Sequence, residues 1–234
     1  MLHLRSRLFS WFSMLTLVIS LGLSAFMAAE ASADATEANA TPVAAPIANV
    51  ISPNYPIASP TTAVSEHLLK KIQASKVLVV YFSTSGHTKQ VAEATAQILQ
   101  APLYAITPAQ PYTEEDLADA DTARTRVEQD NPNLRPAILG KVEQMADYEV
   151  VFLGYPIWKG QAPRIISTFL ESYDFTNKII VPFCTSYSSP IGDSDLKLHA
   201  FAPLAGWLEG MRFAPGSDSG AVDYWLHHLT LSPN

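Results

Sequence analysis

From residue 76 onward, short apolar runs alternate with segments whose apolar residues recur at helical spacing. Residues 76–82 (KVLVVYF) form a near-continuous apolar run, the pattern of a parallel strand buried on both faces. Residues 88–99 place Val91, Ala92, Thr95, Ile98 and Leu99 at helical intervals. A second, shorter strand is predicted at 103–107, and the charged segment 113–129 is predicted to be mostly helical, closed by Pro132 and Pro136. Residues 142–145 add another helical turn. A third strand is predicted at 148–155 (YEVVFLGY), a helix opened by Pro163 and running to Glu171, and a fourth strand at 178–183. Residues 193–208 read as a helix interrupted at Pro203, 211–214 as a fifth strand, and 219–229 as a closing helix that Ser217 or Asp218 caps. Five short strands separated by helices imply right-handed crossovers. The fold class is therefore α/β: a doubly wound five-stranded parallel sheet, order 2-1-3-4-5, with helices on both faces.

The N-terminal third follows a different pattern. Arg5 and Arg7 precede an apolar stretch at 8–27, and small residues follow, ending in Ala31-Ser32-Ala33. This is the form of an export signal cleaved after Ala33. The alternative is an uncleaved membrane anchor, since 8–27 is just long enough to span a bilayer. Either way the domain is expected outside the cytoplasm, with membrane contact only if the segment is retained. Residues 34–75 form a linker and lead-in, rich in Ala, Thr, Ser and Pro up to about residue 64, with a short helix expected at 66–74. The folded domain is expected at 76–234.

Charge and cysteine content narrow the function. The formal net charge is −7, and loss of Arg5, Arg7 and Glu30 with the signal makes it −8. Such a chain has no means of neutralising a phosphate backbone, which argues against nucleic acid. Cys184 is the only cysteine, so no intramolecular disulfide forms; at the end of a buried strand it reads as a small core residue. No His or Cys residues stand at metal-ligand spacing, and His227 and His228 read as surface positions. Trp207 and Trp225 read as packing residues.

Candidate chemistry gathers after three strands. The first strand passes through Ser83, Thr84, Ser85, Gly86, His87 and Thr88 into a helix. Hydroxyls, free backbone amides and a helix N-terminus converge there, an anion site built from neutral donors. Neither a Walker lysine nor a G-x-G-x-x-G is present, which leaves a site suited to one terminal phosphate monoester. Residues 154–160 (GYPIWKG) follow the third strand and 184–192 (CTSYSSPIG) the fourth. In the order 2-1-3-4-5 these loops line one crevice at the carboxyl edge of the sheet. A phosphate at one end and a flat polar ring at the other describe flavin mononucleotide (FMN).

The segments VLVVYFSTSGHTKQVAE, ADYEVVFLGYPIWKGQAPRIISTFLES and KIIVPFCTSYSSPIGDS resemble the signature segments of flavodoxins, specifically the short-chain flavodoxin-like group. The resemblance spans residues 77–229 and implies a flavodoxin-like fold. It implies that residues 83–88 hold the FMN phosphate, that Pro156, Ile157, Trp158, Lys159 and Gly160 flank the isoalloxazine, and that Thr185, Ser186 and Tyr187 approach its pyrimidine edge. Two departures stand out. The group shows Trp-Trp-Gly where this chain has Trp158-Lys159-Gly160, and T-S-G-S-S-G where it has residues 185–190 (TSYSSP). Tyrosine at 187 is strained if that position requires a positive φ, and Pro190 offers no N–H. Tyr187 either stacks on the flavin or marks a site whose flavin binding is weakened or lost while the fold survives. The expected function is an FMN-binding redox protein, an electron carrier or FMN-dependent reductase, serving a partner protein or small-molecule acceptor. The alternative is a binding module of the same fold that recognises another ligand or protein. The flavin carries the chemistry, so no side chain is assigned as catalytic.

Overall fold

The computed structural model describes residues 62–230. The export signal, its cleavage site and most of the linker lie outside these residues. Helix α1 (Thr62–Ala74) begins earlier than the expected 66 and buries Leu69 and Ile72. β1 (Val77–Tyr81), buried throughout, leads into α2 (His87–Leu99) and then β2 (Leu103–Ala105). β3 (Thr107–Pro108) leaves the main sheet. After α3 (Arg124–Asp130) it pairs antiparallel with β4 (Ile138–Leu139). A short 3₁₀ turn at Met145–Asp147 precedes β5 (Val150–Pro156), followed by α4 (Arg164–Glu171) and β6 (Ile179–Thr185). A 3₁₀ segment (Leu196–Phe201), β7 (Gly206–Trp207), β8 (Met211–Phe213) and α5 (Ser219–Leu226) complete the domain.

The main sheet runs β2-β1-β5-β6, with β7 and β8 both parallel to β6 at its far edge. This is the expected order, with the fifth position divided between two segments. Proline explains the division. Leu208 N donates to Ile180 O (3.0 Å), so Ile180 turns its backbone groups toward that edge. Pro182, two residues on, faces the same way and has no N–H to offer. The edge strand breaks there and resumes at Met211.

Alternate residues of each strand feed two cores. Leu78, Val80, Leu153 and Tyr155 pack against Ile165, Ile166 and Phe169 of α4. Val77, Val79, Phe152 and Phe183 pack against α1, α2 and α5 through Ile72, Val91, Trp225 and Leu226. Trp207, Trp225 and Cys184 are buried as expected, and His227 and His228 are exposed.

Two local expectations fail for tertiary reasons. Residues 113–123 are not helical: Thr113 and Asp116 bond each other reciprocally (2.9 and 3.1 Å), and Thr125 donates back to Asp116 O (2.8 Å), so the chain doubles back before α3. Residues 193–208 form no α-helix, because the sheet edge captures them, with Gly206 N donating to Lys178 O (2.9 Å). Pro163 is the N-cap of α4, which runs to Glu171 as expected. At α5 the expected cap holds: Asp218 Oδ1 accepts from Ala221 N at 2.9 Å. Among the described residues, no helix is long and apolar enough to cross a membrane and no cluster of His, Cys, Asp or Glu is arranged to hold a metal ion.

Candidate functional site

The carboxyl ends of β1, β5 and β6 are neighbours, and direct bonds join the loops that follow them. Phe82 N donates to Gly154 O (2.9 Å) and Ile157 N to Thr185 O (3.0 Å). The buried hydroxyls of Thr88 and Thr185 share a 2.7 Å hydrogen bond. The three segments singled out in the sequence thus meet along one edge.

In the first loop Gly86 caps α2 at φ +89°, a conformation that disfavours any residue with a Cβ. A Cβ there would meet nothing within 4 Å, so the demand for glycine is conformational rather than steric. Ser83 Oγ accepts from Gly86 N (3.0 Å), which uses that hydroxyl to shape the loop. Gln90 N makes the first helical bond, to Gly86 O (3.0 Å), and the amides of His87, Thr88 and Lys89 precede it. Thr84 and Ser85 are exposed, and Thr88 lies beneath the loop on Thr185. Free amides, hydroxyls and a helix N-terminus, with no carboxylate among residues 83–88, suit a phosphate dianion. A cleft of about 370 Å³ borders the loop on the β2 side, between Thr84, Lys89 and Thr107.

The second loop is a two-residue hairpin. Trp158 N donates to Gln161 O (2.9 Å) and Gln161 N to Trp158 O (3.0 Å), with Lys159 (φ +49°) and Gly160 (φ +69°) between them. Both central residues are left-handed, as such tight turns require. Trp158 is half-buried, its indole meeting Phe82 (5.5 Å, 84°) and Tyr112 (5.2 Å, 76°) edge-on. Lys159 forms an ion pair with Asp130. A second cleft, about 220 Å³, opens beside this loop between Leu117, Arg126, Ile157 and Lys159.

In the third loop Ser186 Oγ donates to Ser189 O, Ser186 N donates to Phe213 O (3.2 Å), and Arg212 Nη1 donates to Ser186 O (2.8 Å). Tyr187 is 82% exposed, with its ring edge-on to His87 at 6.0 Å. Tyr187 is absent from the left-handed region, so its replacement of the group's glycine carries no backbone strain; the loop uses Gly192 (φ +52°) instead. The strained departure is Lys159. Burial pushes the Cys184 thiol up to about 12, which leaves it protonated and inert beneath the loop.

Sequence reasoning missed the groups that hold these loops from below: Tyr112, Glu128, Gln129, Asp130, Arg164 and Arg212. One signal was available. The polar run Glu128-Gln129-Asp130 ends a helix just before Pro132, where carbonyls without helical partners call for donors.

Known proteins resemble this chain in sequence and fold. A family model described as Flavodoxin matches residues 76–229. A candidate flavoprotein of known structure from Bacteroides eggerthii is 44% identical, covering 65% of this chain and 96% of its own, with a TM-score of 0.61. A flavoprotein in complex with FMN from Lactobacillus acidophilus shares the fold at 20% identity and a TM-score of 0.50, over 64% of this chain and 98% of its own. An NAD(P)H dehydrogenase (quinone) from Cupriavidus metallidurans is 30% identical over 97 residues, 42% of this chain. The chain spans about half the length of that curated relative, 46%. With most of the domain matched and the sheet order and loop edge in place, the chain belongs to the flavodoxin family.

Proposed function

We propose that this chain binds FMN and works as a flavin-dependent redox protein outside the cytoplasm. The observation that carries this reading is the joining of three loops along one sheet edge, an anion-binding turn after β1, the Trp158 hairpin after β5, and a loop after β6 whose exposed Tyr187 stands beside His87. The phosphate sits against the amides and hydroxyls of residues 83–88. Residues 156–160 flank the isoalloxazine, and residues 185–187 meet its pyrimidine edge. Bound flavin supplies the acceptance and release of electrons. The residues of this chain bind it, orient it and restrict water around it. The flavoprotein descriptions of the structural relatives and the quinone dehydrogenase name support the redox class. Electrons pass to or from a partner protein or a small-molecule acceptor.

Titration of purified residues 34–234 with FMN, followed by visible absorbance, tests the assignment. Saturable perturbation of the flavin bands is expected; free-flavin spectra throughout would leave the fold serving as a binding module for another ligand. Export is proposed from residues 1–33, and the mass of the exported chain should place its N-terminus at Asp34.

Lys159 and Asp130 make opposite contributions to the flavin potential. A cation near a ring that gains negative charge on reduction favours reduction. At roughly 6 Å and an effective dielectric of ~80 the attraction is about 0.7 kcal/mol, or about 30 mV for a one-electron step. Pairing with Asp130 reduces that figure. Lys159→Gln should lower the potential and Asp130→Asn should raise it, each by up to ~30 mV at low salt and less at high salt. Potentials within ~5 mV of wild type in both variants would remove this loop from the flavin.

A further inference from the structure

We infer that Gln129 is the positioning residue for the hairpin at Trp158–Gln161, and so for the ring end of the site; this rests on the flavin reading above. Gln129 is 3% exposed and every polar atom of its carboxamide is engaged. Nε2 donates to Trp158 O and to Ala162 O, both at 3.1 Å, which spans the hairpin from one side to the other. Oε1 accepts from Arg164 N at 3.1 Å, which ties the same amide to the first residue of α4.

The surroundings fix the carboxamide in turn. Arg164 Nη2 donates to Gln129 O (2.6 Å) and Arg164 Nε to Glu128 O (3.3 Å), satisfying carbonyls at the end of α3. Glu128 is held by Arg124 Nε (2.6 Å) and Tyr112 OH (2.5 Å), and the Tyr112 ring meets Trp158. Asp130 pairs with Lys159. Three consecutive residues of α3 thus reach one loop: through Tyr112, directly, and through Lys159.

The hairpin needs this support. Its own backbone bonds are the two between Trp158 and Gln161, and a ribbon that short does not hold its place unaided. Gln129 is the one described side chain that bonds carbonyls on both of its flanks. A functional loop is as well placed as the groups that support it.

The test uses the mature chain, residues 34–234, and compares FMN with riboflavin by fluorescence quenching. Gln129→Met keeps the length and removes the donors. It should weaken both ligands by the same factor, roughly tenfold, and change the visible circular dichroism of the bound flavin. Loss of equal size for the two ligands marks the ring end, since a phosphate defect would spare riboflavin. A folded variant with both affinities within twofold of wild type and unchanged dichroism would overturn the proposal. If Gln129→Met does not fold, Gln129→Asn, which keeps the amide on a shorter arm, should give the same equal loss at smaller size, and unchanged affinities would overturn the proposal equally. If wild type binds neither flavin, the flavin reading fails separately. The hold on the loop is then read from amide exchange in the ligand-free protein. The Trp158 and Gln161 amides should exchange at least tenfold faster in the variant with α2 unaffected, and unchanged exchange there would refute it.

Discussion

Replacing Gly154 with alanine is expected to cost about 2–3 kcal/mol of folding stability. Gly154 lies in β5 directly opposite Phe183 in β6. A Cβ built on it would stand 2.3 and 2.4 Å from two carbons of the Phe183 ring, far inside contact distance. The ring has nowhere to retreat, because Trp225 (5.8 Å) and Phe213 (6.3 Å) pack edge-on against it. The overpacking term is offset only in part by the ~0.4–1 kcal/mol that alanine withholds from the unfolded chain. Denaturant unfolding measures the loss, and a double-mutant cycle locates it. In a Phe183→Leu background the cost of Gly154→Ala should fall by at least ~1 kcal/mol. An unchanged cost would place the strain elsewhere. Since Gly154 O accepts from Phe82 N at the base of the first loop, flavin affinity should fall as well.

The second large effect concerns ligand selectivity. Ser83 and Thr88 are committed to internal bonds, with Gly86 N and Thr185. Thr84 and Ser85 are the exposed hydroxyls left to meet a phosphate. A hydrogen bond to a charged acceptor is worth about 1.5–3 kcal/mol. Thr84→Ala/Ser85→Ala should therefore weaken FMN by about 3 kcal/mol, roughly a hundredfold, while riboflavin, which lacks the phosphate, changes less than about threefold. Isothermal titration with both ligands measures the ratio. Equal losses for the two would place the phosphate outside this loop. Thr88→Val makes a useful contrast. It leaves the Thr185 hydroxyl buried without its partner, so stability should suffer ahead of selectivity.

The parts of this protein that its sequence made legible are those where burial and local conformation agree. β1, β5 and β6 read as strands because both of their faces are covered, which leaves little room for polar residues. The three loops were placed on one edge by topology alone, since strand order decides which carboxyl ends adjoin. Where tertiary contacts choose between local alternatives, the pattern was silent. Residues 113–123 have helical composition, yet Asp116 and Thr125 fold the segment back on itself. The divided fifth strand follows from Pro182 on a neighbouring strand, not from anything within 206–213. Strain at Tyr187 hinged on a positive φ there; the positive φ falls at Lys159 instead, because the turn type of each loop depends on where its flanking strands lead. The Thr88–Thr185 bond joins residues 97 apart and leaves no local trace.

The central claim is that one ligand spans this edge, phosphate at residues 83–88 and ring between the other two loops. A crystal structure of the mature chain soaked with FMN tests it most directly. The phosphate oxygens should lie within hydrogen-bond distance of backbone amides of residues 84–88, and the isoalloxazine between residues 156–160 and Tyr187. FMN bound elsewhere, or with its phosphate directed away from Gly86, would contradict it.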